Sequence, residues 1–193
     1  MSFEDVAAIR ALFNVAVLDI VDGVQLVKAL PYIVEHNGPM YIRFVRKQTD
    51  ELFDDSYVFH FGKADKLCDG RDLTVVASGT SLFDAKKAAE ILAADGISVD
   101  LLGIHTIKPL DDDAILASAR KTGAVLTVEN HSIHGGLYSA VTELLSAEHP
   151  TLCDAVAVRD KLTQVGNLAD LKRDYGLTVE DIVARAKALV SKK

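Results

Sequence analysis

Short β-branched runs that alternate with amphipathic helical stretches predict an α/β chain: a three-layer, doubly wound, mainly parallel sheet with crossover helices on both faces. Three observations carry this. Apolar residues are 49% of the 193, enough for a real core. Strand-like and helix-like segments alternate from one end of the sequence to the other. No internal repeat, low-complexity tract or apolar run of about 18–20 residues interrupts them. At this length there is room for one α/β domain, or for one plus part of another.

Strands are predicted at Val15–Leu18, Met40–Val45, Leu73–Ala77, Val99–Ile104, Ala124–Val128 and Ala155–Val158. Helices are predicted near Phe3–Leu12, Gly23–Glu35, Leu82–Ala94, Asp112–Lys121, Leu137–Ala147, Leu168–Asp174 and Val179–Val190. Ser2 with Asp5 three residues on approximates a capping box at the first helix. Pro31 inside the second predicts a kink or an early stop. Asp111 is a good N-cap, with Asp112 and Asp113 at the positive dipole end and Arg120 and Lys121 at the other. Thr178 opens the last helix, where Ile182, Val183, Ala186, Leu189 and Val190 share a face. Residues 47–66 differ in being polar, with one strand-like piece at Tyr57–Phe61. They read as a linker over the surface, between a small α-β-α-β piece and a complete α/β domain. Two strands and two helices cannot cover both faces of a parallel sheet. The first piece therefore either docks on the second domain or is the tail of a larger one.

Composition narrows the function. Twenty-one Lys+Arg against 28 Asp+Glu give a net charge of −7, which argues against a surface built to hold nucleic acid or an anionic membrane. The acidic N-terminus is unlike a signal peptide and two cysteines make no disulfide framework, so the chain reads as cytoplasmic and soluble. Cys68 and Cys153 have no zinc-site spacing with His, and Cys153 beside a strand reads as a small buried hydrophobe.

Several stretches could carry chemistry. Ser78-Gly79-Thr80-Ser81 runs from a strand into a helix; it is either an anion-binding turn or a tight turn whose Thr80 or Ser81 caps the helix. Glu129, His131, His134, Gly135 and Gly136 lie past the end of a strand, where open α/β sheets place ligands. Glu and two His there suit acid–base work. Equally, they suit loop packing or a subunit contact, with the glycines letting the next helix start close to the sheet. His105, before Lys108, is read with the same caution. Arg43 and Arg46 fall on opposite faces of a strict strand, and an arginine at a strand end suits a phosphate or carboxylate as well as a surface ion pair.

Together these stretches resemble the C-terminal section of a transketolase, the small subunit of a split, two-chain kind. SFEDVAAIRALFNVAVLDIVDGVQ is similar to the end of the pyrimidine-binding domain, and GPMYIRFVRKQ to the strand that leaves it. HTIKPLDDDAI, TVENHSIHGGLYSAV and VGNLADLKRDYGLTVEDIV follow in the order of the C-terminal domain. Deoxyxylulose-phosphate synthases and 2-oxoacid dehydrogenase β chains share this layout.

The resemblance implies residues 1–47 as a remnant of the pyrimidine-binding domain, 48–66 as a linker and 67–193 as the C-terminal domain. It implies two-carbon ketol transfer between sugar phosphates, of the pentose phosphate type, with thiamine diphosphate and magnesium in the parent enzyme. It further implies a dimer or other homo-oligomer and an N-terminal transketolase chain as partner. Arg46 matches the family's sugar-phosphate arginine; no catalytic, cofactor or metal residue carries over. The chain alone is therefore expected to be inactive and to bind no cofactor. Phe13 and Ile20 stand where the family commonly has proline. Apolar residues of the remnant (Phe13, Val15, Val17, Ile20, Val21) are expected to lack partners and to drive self-association. Two other readings compete: a non-catalytic dimerisation or regulatory module, and a small-molecule binder at the Glu129–Gly136 end of the sheet.

Overall fold

A computed structural model describes residues 2–45, 50–161 and 164–193; Arg46 lies outside them. The chain runs α1 (Asp5–Arg10), β1 (Ala16–Asp19), α2 (Gly23–Glu35) and β2 (Met40–Arg43), then β3 (Asp65–Cys68), β4 (Leu73–Ser78), α3 (Ser81–Ala94), β5 (Val99–Ile104) and β6 (Thr106–Lys108). It finishes with α4 (Asp112–Thr122), β7 (Ala124–Ser132), α5 (Leu137–Glu148), β8 (Leu152–Val158), α6 (Leu168–Tyr175) and α7 (Val179–Val190).

The larger sheet has the order β3-β5-β4-β7-β8 and is parallel except for β3, which pairs antiparallel at one edge. Its central strands are buried at nearly every position because both faces are covered. Val75, Ala77, Leu101 and Leu126 pack with α3 and α7 through Leu82, Leu92, Ile182 and Leu189. Val76, Leu102 and Val125 face α4 and α5 through Ile115, Ala119, Leu137 and Leu145. At roughly 25 cal/mol per Å² of apolar surface, these two layers supply the main driving force for folding.

The smaller sheet has the order β2-β1-β6. β1 and β2 are parallel, in the register Ala16↔Met40 to Asp19↔Arg43. β6 comes from the second half of the chain and pairs antiparallel with β1, Val17 opposite Lys108 and Leu18 opposite Thr106. The first piece thus docks on the second domain by sharing a sheet with it. α1 reinforces the joint: Arg10 donates to Gly135 O at 2.9 Å and forms a two-pronged ion pair with Glu143 of α5.

Several expectations are corrected. No side chain caps α1, because Asp5 turns inward to Tyr41 and Arg43 instead of closing a box with Ser2. Neither Thr80 nor Ser81 caps α3: Thr80 at the N-cap is already helical (φ −64°, ψ −16°), so its hydroxyl is not aimed at the free amides. α2 continues through Pro31 without stopping, with Pro31 on its exposed side. β2 ends at Arg43 rather than Val45. Tyr57–Phe61 is not a strand: Tyr57 is held by its hydroxyl on Asp65, and Phe59 by burial against β1 and α2. β3 and β6 went unforeseen, being only four and three residues long. Asp111 and Thr178 do cap α4 and α7, the latter in a full capping box with Asp181.

Val17, Ile20 and Val21 are buried, not short of partners. Phe13 is exposed, as is Leu12, and the outer face of α2 adds exposed apolar residues where Val27, Leu30 and Val34 recur at helical spacing. At Ile20 the backbone N–H donates to Arg43 O at 2.8 Å, a bond that a proline there could not make. Asn14, after Phe13, takes a left-handed conformation (φ +59°) that turns the chain into β1.

Candidate functional site

The larger sheet reverses its winding at β4: β5 lies on one side and β7 on the other. The carboxyl ends of β4 and β7 flank that switch point, where open α/β sheets usually take a ligand. Here the protein fills it with its own side chains. Ser78, at the end of β4, donates its hydroxyl to Asp19 Oδ2 at 2.9 Å. Gly79 follows with φ +50°, and a Cβ on it would stand 2.4 Å from Asp19 Oδ1. Only glycine lets the β1 carboxylate come this close. Burial raises the Asp19 carboxyl above its ordinary range, against the pull of Arg43.

Arg43 is the hub of this junction. Its Nη1 donates to Asn130 Oδ1 at 2.6 Å, and Nη2 to the carbonyls of Asn130 and Ser2 at 3.1 and 3.3 Å. Nε lies 3.2 Å from Asp5 Oδ2, and Nη1 lies 3.6 Å from Asp19 Oδ2. Tyr41 donates to the same Asp5 oxygen at 2.7 Å. Alternation along β2 explains the arrangement. Tyr41 and Arg43 share the face turned to α1 and the β7 loop, while Met40 and Ile42 face the core around Phe59. The fork of Arg43 thus joins α1, β1 and the end of β7.

Glu129 and His131 belong to the same loop. The Glu129 carboxylate accepts from Leu137 N at 2.7 Å and Tyr138 N at 2.9 Å, filling the amino end of α5. Burial nevertheless pushes its carboxyl up to about 7. His131 Nδ1 lies 2.8 Å from Ser132 O, to which only a protonated Nδ1 can donate, and Nε2 accepts from Ala7 N at 3.4 Å. That pattern describes a neutral imidazole, consistent with a burial-lowered pKa. Gly136 has no room for a side chain, since a Cβ would lie 2.2 Å from Glu129 Oε2 and 2.6 Å from His131 Nδ1. At Gly135 (φ +77°) a Cβ would meet the Ala7 methyl at 2.5 Å. His134 is exposed. Of the sequence candidates, Glu129, His131, Gly135 and Gly136 therefore come together against α1 and α5, and His134 stays outside.

Sequence reasoning missed a second polar cluster. Asp22 caps α2 through Gln25 N, and its other oxygen accepts from Leu52 N and Phe53 N at 2.7 and 3.0 Å, pinning the crossing segment. The Gln25 amide donates to Asp65 at 3.0 Å, and Tyr57 shares that carboxylate. Burial raises Asp65 to about 6. The available signal was Asp22 immediately before a helix. His105 is buried beside Phe59, their ring centroids 4.3 Å apart, with Nδ1 on the Thr106 hydroxyl; burial lowers its pKa to about 4.

A small cavity of about 160 Å³ lies along the outer edge of β8, against α6 and α7. Its cations are engaged: Arg159 and Arg185 with Asp154, and Lys161 with Asp174 O. Among the described residues no group of three or more His, Cys, Asp or Glu is placed to hold a metal ion. The clustered carboxylates Asp5 and Asp19 are directed at Arg43. The described residues therefore do not fit a cofactor bound through a metal-bridged diphosphate. No described helix is long and apolar enough to cross a membrane.

The description "Transketolase, C-terminal domain" matches residues 62–182. The chain is 42% identical, over its whole length, to the 6-deoxy-6-sulfo-D-fructose transketolase subunit SqwH of Clostridium sp. (strain MSTE9), covering 60% of that protein. It is 34% identical over 99% of its length to an apulose-4-phosphate transketolase subunit of Phocaeicola vulgatus, covering 61% of it. A solved split-gene transketolase, described as an inactive beta4 tetramer, superposes with a TM-score of 0.91 at 36% identity, over 99% of this chain and 62% of its own. The chain thus spans about three-fifths of the length of these relatives. With the doubly wound sheet, its antiparallel edge strand and the domain match in agreement, the chain belongs to the transketolase C-terminal domain family.

Proposed function

We propose that this chain is the C-terminal portion of a transketolase that moves two-carbon ketol units between sugar phosphates, and that it works only in an assembly with an N-terminal transketolase chain. The observation that carries the reading is the junction. A family C-terminal domain is locked through Asp19, Arg43 and Asn130 to the segment that leads into Arg46, the residue resembling the family's sugar-phosphate contact. Likeness along the whole chain to proteins named as transketolase subunits supports it.

Thiamine diphosphate and magnesium would supply the carbon–carbon bond chemistry, held by parts of the assembly other than this chain's residues. This chain's share is to hold the shared sheet, to offer Arg46 to an acceptor phosphate, and to build the oligomer. Glu129 and His131 then act as packing groups of the junction, and His134 is open to a neighbouring subunit. The proposed division stays at 1–47, 48–66 and 67–193, in a cytoplasmic protein. Nicking within 48–66 should leave two fragments that co-elute, because β1 and β6 still pair; separation in native buffer contradicts the division.

The experiment is reconstitution with thiamine diphosphate, magnesium and a ribose phosphate acceptor. Turnover is expected only with an N-terminal chain that carries the rest of the pyrimidine-binding domain, and none above blank without it. Arg46→Ala should weaken phosphorylated acceptors more than unphosphorylated ones. Turnover by the unaccompanied chain would sink the reading.

A further inference from the structure

β8 is the last strand of its sheet, and its outer edge opens on the cavity of about 160 Å³, with α6 and α7 forming the rest of the wall. That volume is roughly ten times what one water molecule needs. Arg159 and Lys161 reach the wall from just past the end of β8, and Arg185 reaches it from α7. In a chain of net charge −7, this gathers three cations around one hollow. Two of them are held from behind. Asp154, which does not line the cavity, accepts from Arg159 Nη2 at 3.1 Å and from Arg185 Nη1 at 3.2 Å. Its Oδ1 also takes the N–H of Ala155 at 2.8 Å, which fixes the carboxylate to the strand. One carboxylate thus orients two guanidinium forks and neutralises only one of them.

The forks keep donors in reserve. Arg159 adds Ala155 O at 3.0 Å through the same Nη2, so its Nε and Nη1 bond nothing among the described residues. Nε and Nη2 of Arg185 are unspent in the same way. Lys161 Nζ donates to Asp174 O at 2.8 Å, a neutral acceptor that leaves its charge uncompensated. The two carboxylates on the wall are occupied elsewhere. Asp174 Oδ2 accepts from Gln164 Nε2 at 2.5 Å, and Asp181 Oδ2 accepts from Thr178 N and Oγ1 at 3.0 and 2.7 Å. Ala155 turns its peptide groups away from β7, towards Asp154 and Arg159, and strand alternation sets the N–H of Ala157 on that same open edge. Donors that converge from two guanidinium groups and an ammonium suit a tetrahedral oxyanion better than a planar carboxylate, which one fork alone can hold. We infer that this cavity binds a phosphate group, seated on the unspent nitrogens of Arg159 and Arg185 with Lys161 beside it. The chemistry is the same for the free ion and for a phosphate ester, so the test uses both.

The experiment follows the amide chemical shifts of the full chain as inorganic phosphate replaces chloride at constant ionic strength. Saturable shifts are expected at Ala155, Ala157 and Gly176, which line the cavity. Arg159→Gln and Arg185→Gln should each raise the half-saturating concentration about tenfold. Both side chains are close to half exposed, so neither change should unfold the chain. Lys187→Gln removes the same charge from α7 outside the cavity, and Arg46→Ala removes the other arginine for which a phosphate role is proposed. Each should leave the half-saturating concentration within about twofold of wild type. Ribose 5-phosphate shifting the same amides, with unphosphorylated ribose silent, extends the site to esters; a response to inorganic phosphate alone confines it to the free ion. Shifts that never saturate, or that Lys187→Gln weakens as much as the two cavity variants do, are general screening and overturn the proposal. Loss of the response in Arg46→Ala, with Arg159→Gln and Arg185→Gln unaffected, overturns it as well.

Discussion

Ser78 and Asp19 meet across the two sheets, the hydroxyl at the end of β4 donating to the carboxylate at the end of β1 at 2.9 Å. The contact puts a residue of the first 45 where an α/β domain would otherwise hold an anionic ligand. It depends on the missing side chain of Gly79, next in sequence.

Gly79→Ala should therefore be costly. The left-handed φ alone disfavours alanine by about 1 kcal/mol, and the methyl would press on a carboxylate that Ser78 and Arg43 hold in place. A loss of about 2–4 kcal/mol in urea unfolding is expected. Gly96→Ala is the control: φ is +81° there, but nothing lies within 4 Å of the added carbon, so about 1 kcal/mol should be lost. Equal losses would show that the close approach to Asp19 is unimportant.

His105 should weaken the fold in acid. Its folded pKa, about 4, is depressed below the ordinary 6.5, so its contribution is fully present above pH 6.5 and is lost as pH falls through that value towards 4. At pH 5 the loss is on the order of 2 kcal/mol. His105→Gln, which keeps a polar group near Thr106, should flatten the stability profile between pH 7 and 5. A profile as steep as that of wild type would mean that the acid sensitivity arises elsewhere.

Glu129 acts in the opposite direction. Its folded pKa of about 7 is raised above the ordinary 4.5, so its contribution is greatest below pH 4.5 and declines as pH rises through 7. The decline is up to about 3 kcal/mol. Glu129→Gln sets a side chain that cannot titrate against the amides of Leu137 and Tyr138, so it should escape this decline and gain in stability on wild type as pH rises from 4.5 to 8. A constant difference from pH 4.5 to 8 would rule out titration of Glu129 in this range.

The outer stripe of α2 is the place to test self-association. Val27, Leu30 and Val34 are 62%, 46% and 82% exposed, so charged substitutions there cost little folding energy. Leu30→Glu with Val34→Glu should shift sedimentation at micromolar concentration towards monomer and leave the thermal midpoint within a few degrees. Unchanged sedimentation of an oligomeric wild type would place the interface elsewhere.

The sequence made most of the larger sheet legible, because β4, β5 and β7 each carry four closely spaced apolar residues and amphipathic helical stretches separate them. The caps at Asp111 and Thr178 were readable for the same local reason. What escaped was set by distant contacts. β6 is three residues long and is a strand only because β1 lies beside it. Asp5 looked like a helix cap, yet Arg43, far along the chain, draws it inward. Glu129, His131, Gly135 and Gly136 could be singled out, but their spacing could not reveal that Ala7 packs against them. Arg43 was paired with Arg46 by spacing, whereas the five oxygens around its fork come from four residues on three separate segments.

The pairing of β1 with β6 also has a consequence for synthesis. β1 leaves the ribosome before its antiparallel neighbour, which follows only after α2, β2, β3, β4, α3 and β5. Until then the hydrogen-bonding groups on that edge of β1 have no strand to meet, and Val17 lacks most of the cluster that will bury it. A nascent chain halted before Lys108 should present a raw strand edge to chaperones, and one extended past it should not.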